Sequence, residues 1–262
     1  MPAAWDLDAS LSDADLAVAL VRSAGALAAQ MRAEGLTTDV KTSISDVVTA
    51  ADRAAEEHVM NTLRVTRPDD GILGEEGAAH TGTSGRTWVI DPVDGTYNFV
   101  SGLAYWCSAL ALQDDDGAVL GAVHQPSSGE TWVGGRGLPT TLDGTPLAPL
   151  ADRPLDECSL ATYIHPSTLS DPDVLQSWLA VVAGVATPRL LGSGSMDLSN
   201  VATGRVGAWA QHSTPAWDWL PGQALVEAAG GRTAVVEHRG HRWHLAANPQ
   251  ALDELVERLT AS

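Results

Sequence analysis

The segment Trp88-Val-Ile-Asp-Pro-Val-Asp-Gly-Thr-Tyr-Asn-Phe99 limits what this chain can fold into more than any other. A hydrophobic run enters Asp91, turns at Pro92, and presents Asp94, Gly95 and Thr96 where a short helix can begin. Two carboxylates this close at the end of a buried strand are costly unless something neutralises them. A divalent cation does so, and hard oxygen ligands suit magnesium or manganese rather than zinc. The backbone N–H groups after Asp94 open onto a helix start, where an anion binds well. An ordinary Asp-Gly turn with Asp94 as helix cap explains the same residues.

Three further segments carry acids. Gly71-Ile-Leu-Gly-Glu-Glu-Gly77 is a short apolar strand ending in Glu75 and Glu76, or a solvated loop. Thr49-x-x-Asp52, downstream of Lys41, has the spacing of a capping box with Asp in place of Glu, and a cap explains both residues without function. In Ala216-Trp-Asp-Trp-Leu-Pro-Gly222, Asp218 stands in a first helical turn, where it complements the helix dipole.

The 262 residues suit one large domain or two closely packed ones. Apolar spacing predicts a helix from Leu11 to Ala33, with Ser12 as N-cap and Gly35 at its end, and a second from Thr49 to Val65. The runs GILGEE, RTWVIDP, WCSALALQ, AVLGAVHQP and ETWVGG read as strands of one sheet. Asp114 to Asp116 before Gly117 reads as a hairpin turn. The stretch LPTTLDGTPLAPLADRPL reads as a junction. It divides an α+β half, 1–145, carrying most of the acids, from an α/β half, 146–262, carrying Asp218. The second half alternates the strand CSLATYIH, a helix over 173–185, the strand TPRLLG, a helix over 195–203, the strand VGAWAQH and a helix over 217–229. Strands RTAVVEH and WHLAAN follow, then a helix over 249–260 with Pro249 at its start.

Lys+Arg is 15 against 33 for Asp+Glu, a formal charge of −18. Such a chain is a poor partner for nucleic acid or an anionic membrane, which need a positive face. An anionic substrate would need something other than side-chain cations to hold it. No apolar run approaches the ~18–20 residues that span a bilayer, and the acidic N-terminus is not a secretory signal. Cys107 and Cys158 offer no disulfide framework or zinc spacing and read as small buried residues. A soluble cytoplasmic protein is expected. His241 and His244, beside Arg239 and Arg242, read as a solvated hairpin rather than a metal cluster, and Trp106 as core.

Taken together, the order of the motifs is specific. Lys41-x4-Asp46-x2-Thr49-x2-Asp52, SDVVTAAD, ILGEE, WVIDPVDGTYNF and AWDWLPGQALVEAAGG follow one another along the chain. This series resembles the inositol monophosphatase family, a branch of the lithium-sensitive, magnesium-dependent phosphatases, from the first helix to the LAAN strand. The resemblance implies a layered αβαβα sandwich of the inositol monophosphatase and fructose bisphosphatase type, often a homodimer. It implies that Glu75, Asp91 and the Val93 carbonyl hold one Mg2+, that Asp91, Asp94 and Asp218 hold a second, and that a weaker third ion sits by Glu75, with Mn2+ as a substitute. Thr96 and Asp52 would orient and help deprotonate the attacking water, Gly95 and Thr96 amides would hold the phosphate, and Lys41 would stand near the site. Carboxylates then recruit cations, and cations recruit the phosphate.

The family's inositol-contacting glutamate aligns with Gln211, which keeps an acceptor but loses the charge. Ser195 and Asp197 lie where the family's substrate-facing loop begins; Ser195 reads equally as a helix cap. The implied activity is hydrolysis of a small phosphate monoester, inositol 1-phosphate first. Histidinol phosphate and sugar or aminocyclitol phosphates are the alternatives. Bisphosphates fit less well, since no basic cluster is apparent for a second phosphate. A non-catalytic ligand-binding descendant would have lost a metal ligand, and Glu75, Asp91, Asp94 and Asp218 are all present, as are Thr96 and Asp52.

Overall fold

The computed structural model describes residues 9–35, 38–40 and 47–261. Lys41 lies outside them. Helix α1 (Asp13–Glu34) starts at Ser12, whose hydroxyl accepts from the Asp15 amide at 3.1 Å, and ends at Gly35. Strands β1 (Thr38–Val40) and β2 (Val47–Thr49) pair antiparallel and lead into α2 (Ala50–Thr66). Then come β3 (Gly71–Gly74), β4 (Ala79–His80), β5 (Thr87–Asp94), the short helix α3 (Thr96–Val100), β6 (Cys107–Asp114), β7 (Gly117–His124), β8 (Thr131–Gly135), β9 (Leu138–Leu142) and β10 (Thr145–Pro146). These strands form one sheet, ordered β10-β9-β8-β7-β6-β5-β3-β4, with β3–β5 as its one parallel pair.

The rest of the chain runs β11 (Ser159–Thr162), α4 (Pro172–Val182), β12 (Thr187–Arg189), α5 (Gly194–Ala202), β13 (Ala208–His212), α6 (Ala216–Ala228), β14 (Arg232–His238), β15 (His241–Ala247) and α7 (Pro249–Thr260). Its sheet is ordered β12-β11-β13-β15-β14, with β12, β11 and β13 parallel.

Alternation along the strands sets the layers. In β5, Trp88 and Ile90 pack with Leu16 and Leu20 of α1 and Val59 and Leu63 of α2. Val89, between them, faces the other way, onto Leu198 of α5 and Trp219 and Leu225 of α6. Trp209 and Ala246 of the second sheet join that same middle cluster. Their neighbours Ala208, Ala210 and Leu245 pack instead with Val181 of α4 and Leu252, Leu255 and Leu259 of α7. The order is therefore α1/α2, first sheet, α5/α6, second sheet, α4/α7: five layers, as the resemblance implied. Helix α6 lies between two sheets, which explains why Trp219, Leu220, Leu225 and Val226 are all buried rather than confined to one stripe. Each such burial contributes about 1.5–3 kcal/mol.

Some expectations change. The first half of LPTTLDGTPLAPLADRPL builds β9 and β10 of the first sheet, and the chain from 147 on leads to the second sheet. Of TPRLLG only Thr187–Arg189 is strand. Helix α1 is, after all, long and apolar enough to cross a bilayer, but Leu16, Ala17, Leu20, Val21 and Ala24 are spent on covering the first sheet.

Candidate functional site

Strand β5 carries Asp91 and Asp94, and a plain strand would point residues at this spacing to opposite faces. The pairing with β6 prevents this. Asp91 opposes Ala109 and Asp94 opposes Cys107, so β5 holds one residue more than its partner between them. This bulge, at Pro92-Val93, re-aims the strand end. The Ser108 hydroxyl pins it by donating to the Pro92 carbonyl at 2.6 Å. Val93 turns into an apolar cluster with Ala28, Ala51, Phe99 and Trp106, while Asp91 shares the side of Val89, toward α6.

The other acids arrive from neighbouring elements. Glu75 follows β3, the parallel neighbour of β5, and its amide donates to the Ile90 carbonyl at 3.2 Å, which sets it beside Asp91. Asp218 is in the first turn of α6. One oxygen each of Asp91, Asp94 and Asp218 lies within 4.8 Å of the others. Helix α5 holds Asp94 from across the chain: the Gly194 amide donates to Oδ1 at 3.2 Å and the Ser195 amide to Oδ2 at 2.5 Å. A carboxylate here caps an otherwise uncapped helix start.

The electrostatics of this cluster fit a cation. Burial pushes Asp91 well above the usual carboxylate range, and the charges of Glu75, Asp94 and Asp218 push it further. Asp218 rises for the same reasons, with Asp94 and Glu75 as its charged neighbours. Burial also raises Asp94, against the hydrogen bonds from Ser195, Ser193 and Gly194 that favour its charged form. Among the described residues Asp91 Oδ1 is buried without a hydrogen-bond partner, an expensive state for a carboxylate oxygen that a hard divalent ion would relieve.

Asp52 and Thr96 meet at the edge of the cluster. The capping box is present: Thr49 caps α2, and Asp52 Oδ2 accepts from the Thr49 amide at 2.9 Å and from its hydroxyl. The other oxygen, Oδ1, lies 3.2 Å from the Thr96 hydroxyl, which also reaches the Val93 carbonyl at 2.9 Å. Asp52 thus serves the helix with one oxygen and faces the cluster with the other. Its burial raises its pKa, and the bonds from Thr49 and Thr96 oppose the rise. Gly95, just before α3, has φ +89°, and a Cβ there would lie 3.0 Å from the Gly192 carbonyl, so no other residue fits without displacing that loop.

Residues 11–260 match the inositol monophosphatase family. This chain belongs to that family. It is 30% identical over 228 residues to an inositol-1-monophosphatase of Bacillus subtilis, covering 85% of each chain. It is 34% identical over 263 residues to a histidinol-phosphatase of Mycobacterium tuberculosis, covering 96% of this chain and 99% of that one. The crystal structure of extragenic suppressor protein suhB from Bartonella henselae superposes with a TM-score of 0.85 at 27% identity, covering 94% of this chain and 97% of that chain.

Several residues of this inositol monophosphatase family member escaped the sequence reading. Glu56 is buried and accepts the amides of Glu76 and Ala78, both at 2.8 Å, so it shapes the turn that presents Glu75. It lies one helical turn beyond Asp52, and that i, i+4 spacing was the available signal. Asn98 donates to the carbonyls of Tyr105 and Leu191, tying α3 to the loop before α5. Asp197, a candidate for touching the alcohol, instead accepts from the Tyr105 hydroxyl at 2.7 Å and is buried. Ser195 is not the cap of α5, since Ser193 holds that position; the Ser195 amide instead holds Asp94, and its side chain is buried. Cys107 and Cys158 are buried thiols, as expected, and Cys107 lies 3.9 Å from Asp94. His244 is not solvated: it is buried on β15.

Proposed function

We propose that this chain hydrolyses a small phosphate monoester, inositol 1-phosphate first, with two or three Mg2+ ions as resident cofactor. The convergence of Asp91, Asp94 and Asp218 supports this reading most directly. Glu75, Asp91 and the Val93 carbonyl form one ligand set, and Asp91, Asp94 and Asp218 a second. Mg2+, or Mn2+ in its place, supplies positive charge for the phosphate dianion and acidifies the attacking water. Thr96 orients that water through its hydroxyl oxygen. The Thr96 proton has two acceptors, the Val93 carbonyl and Asp52 Oδ1, and a Val93 carbonyl that held a cation would leave it to Asp52 Oδ1. A buried carboxyl with raised proton affinity suits the end of such a relay. The Gly95 and Thr96 amides hold the phosphate, and Asp94, Ser195 and Gln211 stand on the substrate side.

Histidinol phosphate is the second reading, favoured by the similarity to a histidinol-phosphatase along almost the whole chain. Phosphate release from inositol 1-phosphate, histidinol phosphate, fructose 1,6-bisphosphate and a nucleotide bisphosphate, at saturating Mg2+, separates them. The expected result is turnover of inositol 1-phosphate in preference to the other three, abolished by a chelator. Turnover that persists in chelator overturns the mechanism, and no turnover of any ester marks a ligand-binding descendant.

The reading includes a cytoplasmic homodimer. Tyr97, Val100, Leu103 and Leu190 are exposed apolar residues. The segments that carry them lie side by side at the surface, because Leu103 N–H donates to the Asn98 carbonyl and Asn98 holds the carbonyl of Leu191. We place the second copy on this face, as an isologous contact. Sedimentation should give twice the 27.3 kDa chain mass; a monomer at micromolar concentration would refute the dimer.

A further inference from the structure

Of the residues placed on the substrate side, Gln211 is the one on the second sheet. Gln211 pairs directly with His244 across β13 and β15, so both side chains leave the same face of the second sheet. That face is the one toward α5 and α6. Trp209, two residues before Gln211, lies in the middle cluster and stacks on Trp219 at 5.6 Å. A Cβ on Gly194, whose amide holds Asp94, would be 4.0 Å from Trp209 and 3.7 Å from Asp218. The His244 ring packs edge-on against Trp219, the residue after Asp218, with centroids 5.0 Å apart. His244 is 5% exposed, and its Nδ1 is buried with no hydrogen-bond partner among the described residues. The Gln211 side-chain amide makes no hydrogen bond to any described residue. A buried, unpaired imidazole nitrogen costs stability. One beside an uncommitted amide, packed on the residue that follows a candidate metal ligand, is the mark of a ligand-binding position.

We propose that His244 is a specificity-determining residue, which together with Gln211 hydrogen-bonds hydroxyl groups of an uncharged, polyhydroxylated alcohol. The inference rests on the phosphatase reading above and deepens it. Burial and the nearby Arg242 push the His244 pKa down to about 4, so the ring is neutral and offers one donor and one acceptor. Gln211 is neutral as well. This pair therefore offers hydroxyl-matching groups but no anion to hold an ammonium group, which favours a polyol phosphate over an aminoalcohol phosphate.

The test compares inositol 1-phosphate with p-nitrophenyl phosphate, an ester with no hydroxyls on its alcohol, in wild type, His244→Leu and His244→Asn. Leucine fills the space against Trp219 without nitrogens, and asparagine restores a polar atom near the place of Nδ1. In His244→Leu the ratio of kcat/KM for inositol 1-phosphate to that for p-nitrophenyl phosphate should fall about tenfold, through KM, and His244→Asn should recover most of it. An unchanged ratio in His244→Leu, with wild type active on both esters, overturns the role of His244 and leaves the phosphatase reading standing. Equal losses on both esters also overturn it, since they mark a purely structural residue. A wild type that hydrolyses neither ester overturns the parent reading, and this inference with it.

Discussion

Asp91→Asn is expected to lower kcat/KM by about 10³-fold or more while leaving the fold intact, roughly 4 kcal/mol of transition-state stabilisation. Asp91 is common to both proposed ligand sets, and its Oδ1 has no partner to lose among the described residues. The same substitution should not lower the melting temperature of the metal-free protein. The sign follows from the raised pKa of Asp91. A carboxyl that binds its proton more tightly folded than unfolded penalises the folded state above the unfolded value near 4, and the penalty is full above the folded pKa. Removing that carboxyl relieves the repulsion from Glu75, Asp94 and Asp218. Wild type should melt higher as Mg2+ is added, gaining about 2.7 kcal/mol at a hundredfold excess over Kd, and the variant should lose most of that response. Calorimetry with and without Mg2+, beside phosphate-release assays, reads both effects. Near-normal turnover in Asp91→Asn would remove Asp91 from the chemistry.

Much of this architecture was legible because it rests on local rules. Ser12 and Gly35 bound α1 as capping chemistry dictates, and Thr49 with Asp52 forms the box its spacing announced. The strands around Trp88 and Cys107 declared themselves by short apolar runs between turn residues. The site was legible as a list of acids but not as a geometry. Nothing in the spacing of Asp91 and Asp94 says that they share a face; the bulge at Pro92-Val93 brings that about, and Pro92 was its one visible trace. The grip of the Gly194 and Ser195 amides on Asp94 links residues 100 and 101 positions apart, beyond any local pattern. His244 was misread because β15 is buried on both faces, where alternation gives no hint and a histidine among arginines looks like surface. Glu56 has the sequence setting of an ordinary helix acid, although its carboxylate holds the loop of Glu75.

Gly121→Val is expected to damage stability and activity together, because this glycine seats the helix that delivers Asp218. Gly121 lies in β7, and a Cβ added there would stand 2.1 Å from the Pro221 carbonyl oxygen and 2.9 Å from its Cα. Both are backbone atoms of α6, so no side-chain rotation makes room. Helix α6 cannot simply retreat, since Gly222 on its other side is already closed against Leu198 of α5. The added bulk must lift α6 from the first sheet, and Asp218, one turn before Pro221, moves with it while Asp91 and Asp94 stay on β5. Overpacking of this kind costs about 3 kcal/mol or more, which lowers the melting temperature by roughly 6–12 °C in a chain of this size. A shift of ~1 Å in one member of the acidic cluster costs about 10²-fold in kcat. Assays well below the variant's melting point, with its circular dichroism matching wild type, separate the displaced carboxylate from unfolding. Wild-type melting and turnover would mean that α6 does not rest on β7, and Asp218 would then need another route to the other two acids.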